Sequence, residues 1–178
     1  MKKNAAKKTP AKTTAANASK TTESLDIGLD AKIRQGSVKA LSGILADQHV
    51  LYLKTRNFHW NLTGHRFHTL HAFFEAQYTA LAEAIDETAE RIRMLGAASP
   101  GSMKEFLALA SLQECAGELI GGDEAIALLR DDHEAAARAL RDAVDSTDEA
   151  GDAGTADFLT KLLQNHEEAA WMLRSFLE

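Results

Sequence analysis

A chain of 178 residues, 45% hydrophobic with two prolines and eleven glycines, has the length and apolar content for one domain with a sizeable core. Abundant Ala, Leu, Glu and Asp with few aromatics point to helices, and a single cysteine, Cys115, excludes an intrachain disulfide and a cysteine-rich metal site. The formal charge of −6 is uneven: residues 1–22 hold six lysines and no acid, so the remainder carries −12.

The N-terminal stretch is therefore read apart from the rest, as residues 1–22 against a bundle over 23–178. Lys2, Lys3, Lys7, Lys8, Lys12 and Lys20 stand among Ala, Thr, Asn and Ser, with almost nothing apolar to pack. Such a segment is expected to be disordered. It lacks the continuous apolar stretch of a signal peptide, which argues against export and, with the lone cysteine, fits a reducing cytoplasm with no membrane partner. A basic arm on an acidic body is the pattern of a phosphate-binding tail, although solubilising arms share its composition.

The first long helix is predicted from about Asp30 to Asn61. Leu41, Leu45, Gln48, Tyr52, Thr55 and His59 recur at alternating spacings of four and three, and Gly64 supplies the stop. Trp60, beside His59, either covers a site, where it would intercept one-electron oxidants, or anchors an interface. His49 and His65 have no partner pattern and read as surface or structural.

The second helix, from about Phe67 to Leu95, carries the chemistry. His71 and Glu75, then Asp86 and Glu90, are i, i+4 pairs, each able to face one ligand. At ~100° per residue these four occupy an arc of roughly 100° beside the apolar stripe of Leu70, Phe74, Tyr78, Leu81, Ile85 and Ile92. Imidazole and carboxylate donors suit iron, manganese or zinc better than calcium or magnesium. His71 and Asp86 are nevertheless ~22 Å apart along a straight helix, whereas metal–ligand bonds measure only ~2 Å. If all serve one kind of site, its halves come from two antiparallel copies of this helix, most simply in a twofold dimer.

Gly96 and Pro100 end that helix, and Ser102 with Glu105 forms a capping-box pattern for a short helix over Met103–Ala110 within a long crossover. A crossover of this kind joins two parallel helices of a bundle. A third helix is expected over Asp123–Val144, with Asp131, Asp132, His133 and Glu134 on a solvated face. An acidic connector, 145–154, leads to a last helix over Thr155–Leu177, on which His166 reads as a satisfied core histidine and Trp171 as an anchor. Cys115 is expected to be a small core residue.

The run FHWN–G–F–LH–x3–E followed by D–x3–E–R–I–x2–LG resembles the Dps family, DNA-binding proteins from starved cells and miniature ferritins. The segments PGSMKEFLALASLQE and HEEAAWMLRSFLE are similar to it as well, so the resemblance runs from about Leu29 to Glu178. It implies an all-α, ferritin-like four-helix bundle with a short helix in the long crossover, assembled as a homo-dodecamer. It further implies ferroxidase activity on Fe²⁺, preferentially with hydrogen peroxide, storage of ferric mineral, and a cytoplasmic, nucleoid-associated protein that binds DNA through its lysine tail. The implied ligands are His59, His71 and Glu75 from one subunit with Asp86 and Glu90 from its mate, where zinc or manganese can substitute for iron. Glu75 stands where relatives often have Asp. The family's acidic entry pore carries over to Asp148, Asp152 and Asp157. No Glu is followed three residues later by His, which counts against an ordinary within-bundle di-iron enzyme. The competing reading is a chromatin-compacting structural protein whose metal site is vestigial or holds zinc.

Overall fold

The computed structural model describes residues 25–178; the lysine tail and its predicted DNA contacts lie outside them. Four long helices and one short one form, in chain order, α1 (Ala31–Asn61), α2 (Phe67–Met94), α3 (Met103–Leu109), α4 (Gly122–Glu149) and α5 (Ala153–Ser175). Asp30 caps α1 by accepting from the Ile33 N–H at 2.8 Å. The predicted capping box is present at α3: Glu105 N–H donates to Ser102 Oγ, and the Glu105 carboxylate takes bonds from Ser102 Oγ and the Gly101 N–H. These bonds hold the Glu105 carboxyl below its usual range, the Ser102 hydroxyl being the main cause.

A two-residue bridge, absent from the sequence reading, orients the bundle. Leu62–Thr63 (β1), directly after α1, pairs in parallel with Ile120–Gly121 (β2), directly before α4. The end of α1 and the starts of α2 and α4 thus meet at one pole. It follows that α2 and α4 run parallel and α1 and α5 run against them, as the long crossover requires. Arg66 at the start of α2 pairs there with Asp123 of α4.

The core lies along the predicted seam of α1. Leu41, Leu45, Leu51 and Thr55 are fully buried, and Gln48 and His59 nearly so. Each buried leucine contributes roughly 1.5–3 kcal/mol relative to exposure. Lys54 and Asp132 meet in the half-buried space between α1 and α4 at 2.6 Å. Burial raises the Asp132 pKa and outweighs the lowering by Lys54, so the pair orders the interface more than it stabilises it.

Three expectations need correction. α4 continues to Glu149 rather than Val144, because Ala143 and Thr147 extend its buried stripe and Gly151, at φ 83°, makes the stop. The connector is therefore only residues 150–152. His133 is not on a solvated face: with Ile126, Leu129, Ala136 and Leu140 it lies on the core stripe of α4 and is 3% exposed. Cys115 is exposed, since its segment is held through main-chain carbonyls; Asn57 Nδ2 donates to the Cys115 and Ala116 oxygens at 3.1 and 2.9 Å.

Candidate metal centre

The reversal between α1 and α2 brings two of the predicted ligands together. Gly64 turns the chain at φ 107°, a conformation L side chains rarely adopt, and its carbonyl accepts the Phe67 N–H at 3.1 Å. His59, in the last turn of α1, consequently faces His71 near the start of α2. Their rings stack with centroids 3.6 Å apart and planes inclined by 17°. Each Nδ1 lies 2.8 Å from the main-chain carbonyl of the other histidine. A carbonyl only accepts, so both Nδ1 atoms carry the proton and both Nε2 atoms keep a lone pair. This is the tautomer a metal ion needs, with both rings oriented in advance.

Glu75 follows one turn after His71 and is exposed. Tyr78, read from the sequence only as part of the apolar stripe, has a place beside these ligands. Its ring meets His59 edge-on at 5.3 Å, and its hydroxyl is 3.4 Å from Glu75 Oε1. Desolvation and then the Glu75 charge push the phenol above its ordinary range. The i, i+3 spacing from Glu75 was the available signal for this neighbour. Trp60 is 57% exposed, with the Arg56 guanidinium carbon 5.0 Å from its ring centroid. Arg56 also lies over Tyr52 and Tyr78, at 5.5 and 5.1 Å, so the aromatic group is held by one cation.

Asp86 and Glu90 are exposed further along the same unbroken helix. The ~22 Å between His71 and Asp86 therefore stands. Among the described residues, no three His, Cys, Asp or Glu side chains gather closely enough to hold an ion. The five predicted ligands lie in two separate groups along the chain.

The acidic candidates near the α4–α5 junction divide. Asp148 in the last turn of α4 and Asp157 in the second turn of α5 are exposed. Asp152 is 1% exposed and caps α5. It accepts from Ser37 Oγ and Thr155 Oγ1 at 2.6 Å each, from the Thr155 N–H at 3.1 Å, and from Arg91 at 3.2 Å. Gly154 makes room for this network: a Cβ there would stand 3.0 Å from the Arg91 guanidinium. Burial alone would raise the Asp152 pKa, but the hydroxyl and amide bonds and the Arg91 charge bring it below the usual carboxylate range. Its oxygens are committed inside the subunit, and the pore expectation does not extend to it.

This geometry can be set beside known proteins. A Ferritin-like domain model matches residues 38–178. The chain is 38% identical over 141 residues to DNA protection during starvation protein 2 of Bacillus anthracis, an alignment covering 79% of this chain and 95% of that protein. The chain belongs to the Dps family. A Dps structure from Vibrio cholerae, described as a member of a broad superfamily of ferritin-like diiron-carboxylate proteins, superposes on this Dps chain with a TM-score of 0.83 at 34% identity, covering 88% of this chain and all of that one. An uncharacterized low temperature-induced protein of Nostoc sp. is 49% identical over 155 residues, 86% of this chain and 87% of that protein. No helix among the described residues is long and apolar enough to cross a membrane.

Proposed function

We propose that this Dps-family chain is a ferroxidase and iron-storage protein working as a hollow homo-dodecamer in the cytoplasm, where it associates with the nucleoid. Fe²⁺ is the substrate and hydrogen peroxide the preferred oxidant. The observation that carries this reading is the pair of Nδ1–H donors locked on carbonyls at 2.8 Å, which leaves a lone pair on Nε2 of His59 at the end of α1 and of His71 at the start of α2, with Glu75 one turn further along α2. The other half of α2 offers carboxylates, Asp86 and Glu90 among them, and no imidazole. A twofold mate running antiparallel supplies the missing half to each subunit. Carboxylates stabilise the ferric product, while the imidazoles set geometry and leave positions for the oxidant. Two ferrous ions each give one electron to peroxide; its O–O bond breaks and two protons complete two water molecules. Zinc or manganese fits the same donors without this chemistry.

Anaerobic Fe²⁺ followed by a measured dose of peroxide tests the reading. Ferric absorbance rising rapidly with one peroxide consumed per two iron ions is expected. No rise above the protein-free rate would favour a chromatin-compacting protein with a vestigial site. Protection of DNA, supported by the names of the Bacillus anthracis relative and others, is assigned to the six tail lysines. Removing residues 1–22 should abolish retardation of DNA and spare iron oxidation. For six phosphate contacts the log–log salt slope should reach at most roughly −5 per arm.

A further inference from the structure

The metal-centre reading does not use the gap between α2 and α5. Near one end of the gap Arg91 donates to Thr155 Oγ1 at 3.0 Å and Lys161 pairs with Glu87 at 3.0 Å. At the other end the Phe73 and Phe176 rings lie 5.0 Å apart. Between these contacts α2 presents Ala76, Ala80 and Ala84, each one turn from the next, and α5 presents Ala169. Such small side chains do not fill the space, and a cavity of about 330 Å³ remains. Its wall is largely apolar, with Phe73, Leu81, Leu162 and Met172 the bulky members.

Two histidines also line this cavity, His133 of α4 and His166 of α5, which are 3% and 4% exposed. Their Nδ1 atoms are 3.0 Å apart and share one proton. Burial keeps the His133 imidazole neutral to well below its ordinary pKa and brings His166 to about 4, so neither ring is charged at neutral pH. His133 Nε2 and, on α2, Gln77 Oε1 are buried with no hydrogen bond. Buried polar atoms without partners are uncommon in native proteins. Which ring holds the shared proton decides whether His133 Nε2 donates or accepts; a hydroxyl can answer either. The one charged side chain in the lining is Glu168, which is exposed.

We propose that this cavity binds one small uncharged phenol-type molecule, with its ring on Phe73, Leu81 and Leu162 and its hydroxyl on His133 Nε2. The size suits such a guest: an apolar cavity of ~150 Å³ suffices for benzene, and small-molecule sites begin near ~300 Å³. The apolar wall favours a ring over waters, each of which needs two or more polar partners. Phe73 offers an aromatic surface and Met172 a polarisable sulfur, both favourable to a ring. The unpartnered atoms are closed to water, so the half-buried Gln77 side chain, beside the exposed Ala76 and Ala80, turns aside as the hydroxyl enters. An anionic guest would lose its hydration against apolar side chains and meet the Glu168 carboxylate.

The direct test uses the unmutated, assembled protein and 4-bromophenol as the probe. Crystals soaked with it should show a bromine anomalous peak inside the cavity and the phenol oxygen within ~3.2 Å of His133 Nε2. No peak in the cavity, a hydroxyl turned to bulk solvent, or a side chain of another subunit already filling the space overturns the site. In solution, calorimetric titration should give one 4-bromophenol per subunit, with 4-bromobenzoate weaker by roughly tenfold or more. Equal affinity for the two probes contradicts the uncharged class. Ala80→Phe fills the cavity and should weaken 4-bromophenol by roughly tenfold or more while leaving peroxide-driven iron oxidation unchanged, which separates this site from the ferroxidase reading. Undiminished binding in that variant, shown by mass to assemble as the wild type does, contradicts the proposal.

Discussion

The two ends of α2 solve opposite problems with similar residues. At its C-terminal end Arg91 meets Asp152, whose carboxylate takes bonds from Ser37 and Thr155 as well, all within one chain. At its N-terminal end His59 and His71 satisfy only their Nδ1 atoms, and Glu75 reaches only the Tyr78 hydroxyl at 3.4 Å. The first group has its donors and acceptors matched internally, which is the condition for a polar cluster to stabilise a fold. The second keeps its strongest metal-binding atoms unspent. The contrast teaches that a carboxylate's identity says little about its task; what its oxygens already hold decides it.

Breaking the open end should cost function and little stability. His71→Ala is expected to slow peroxide-driven iron oxidation by more than ~100-fold, beyond the effect typical of outer contacts to a metal. The unfolding midpoint of the folded assembly should shift little, because one half-buried hydrogen bond is worth only about 1 kcal/mol. Stopped-flow absorbance and chemical denaturation measure the two effects separately.

Breaking the closed end should do the reverse. Asp152→Ala should destabilise the subunit by about 1–3 kcal/mol by leaving Ser37, Thr155 and Arg91 without their acceptor. Oxidation per folded subunit should be unchanged. The pH dependence follows from the lowered pKa: Asp152 stabilises fully above the unfolded carboxylate range, and this contribution is lost as pH falls through the folded value. The gap between wild type and variant should therefore close in strong acid.

The smallest effect concerns the exposed acids. Replacing Asp148 and Asp157 together by Asn should slow iron uptake a few-fold at low ionic strength and less at high salt, because exposed charges are screened over ~8–10 Å. Initial uptake rates across a salt series measure this. Equal rates in an intact assembly would place iron entry elsewhere.

Much of this contrast was legible in the residues, and the rest was hidden for physical reasons. Spacing alone placed Leu41, Leu45, Gln48, Thr55 and His59 on one buried seam, because helical period depends only on local geometry. The i, i+4 pairs on α2 and their separation were equally open to arithmetic. Asp152 was misread because its role depends on Ser37, 115 residues away, and on Arg91, 61 away. An acid in an acidic run shows nothing of such partners. His133 failed differently: its stripe with Leu129, Ala136 and Leu140 was visible, but the charged neighbours Asp131, Asp132 and Glu134 masked it. The reciprocal carbonyl bonds of His59 and His71 needed coordinates, since they depend on how the Gly64 turn aligns two helices.

The central claim is that each site is completed by a second subunit, and subunit mixing tests it most directly. Assemblies of His71→Ala alone or Asp86→Ala alone should form but oxidise iron poorly, since every site lacks a ligand. In a mixed dimer one site receives both defects, while the other takes His71 from one subunit and Asp86 from its mate and is wholly wild type. Co-assembled protein should recover activity in proportion to its mixed dimers, to no more than half the wild-type value. Verified co-assembly by mass with no recovered activity would contradict the shared site.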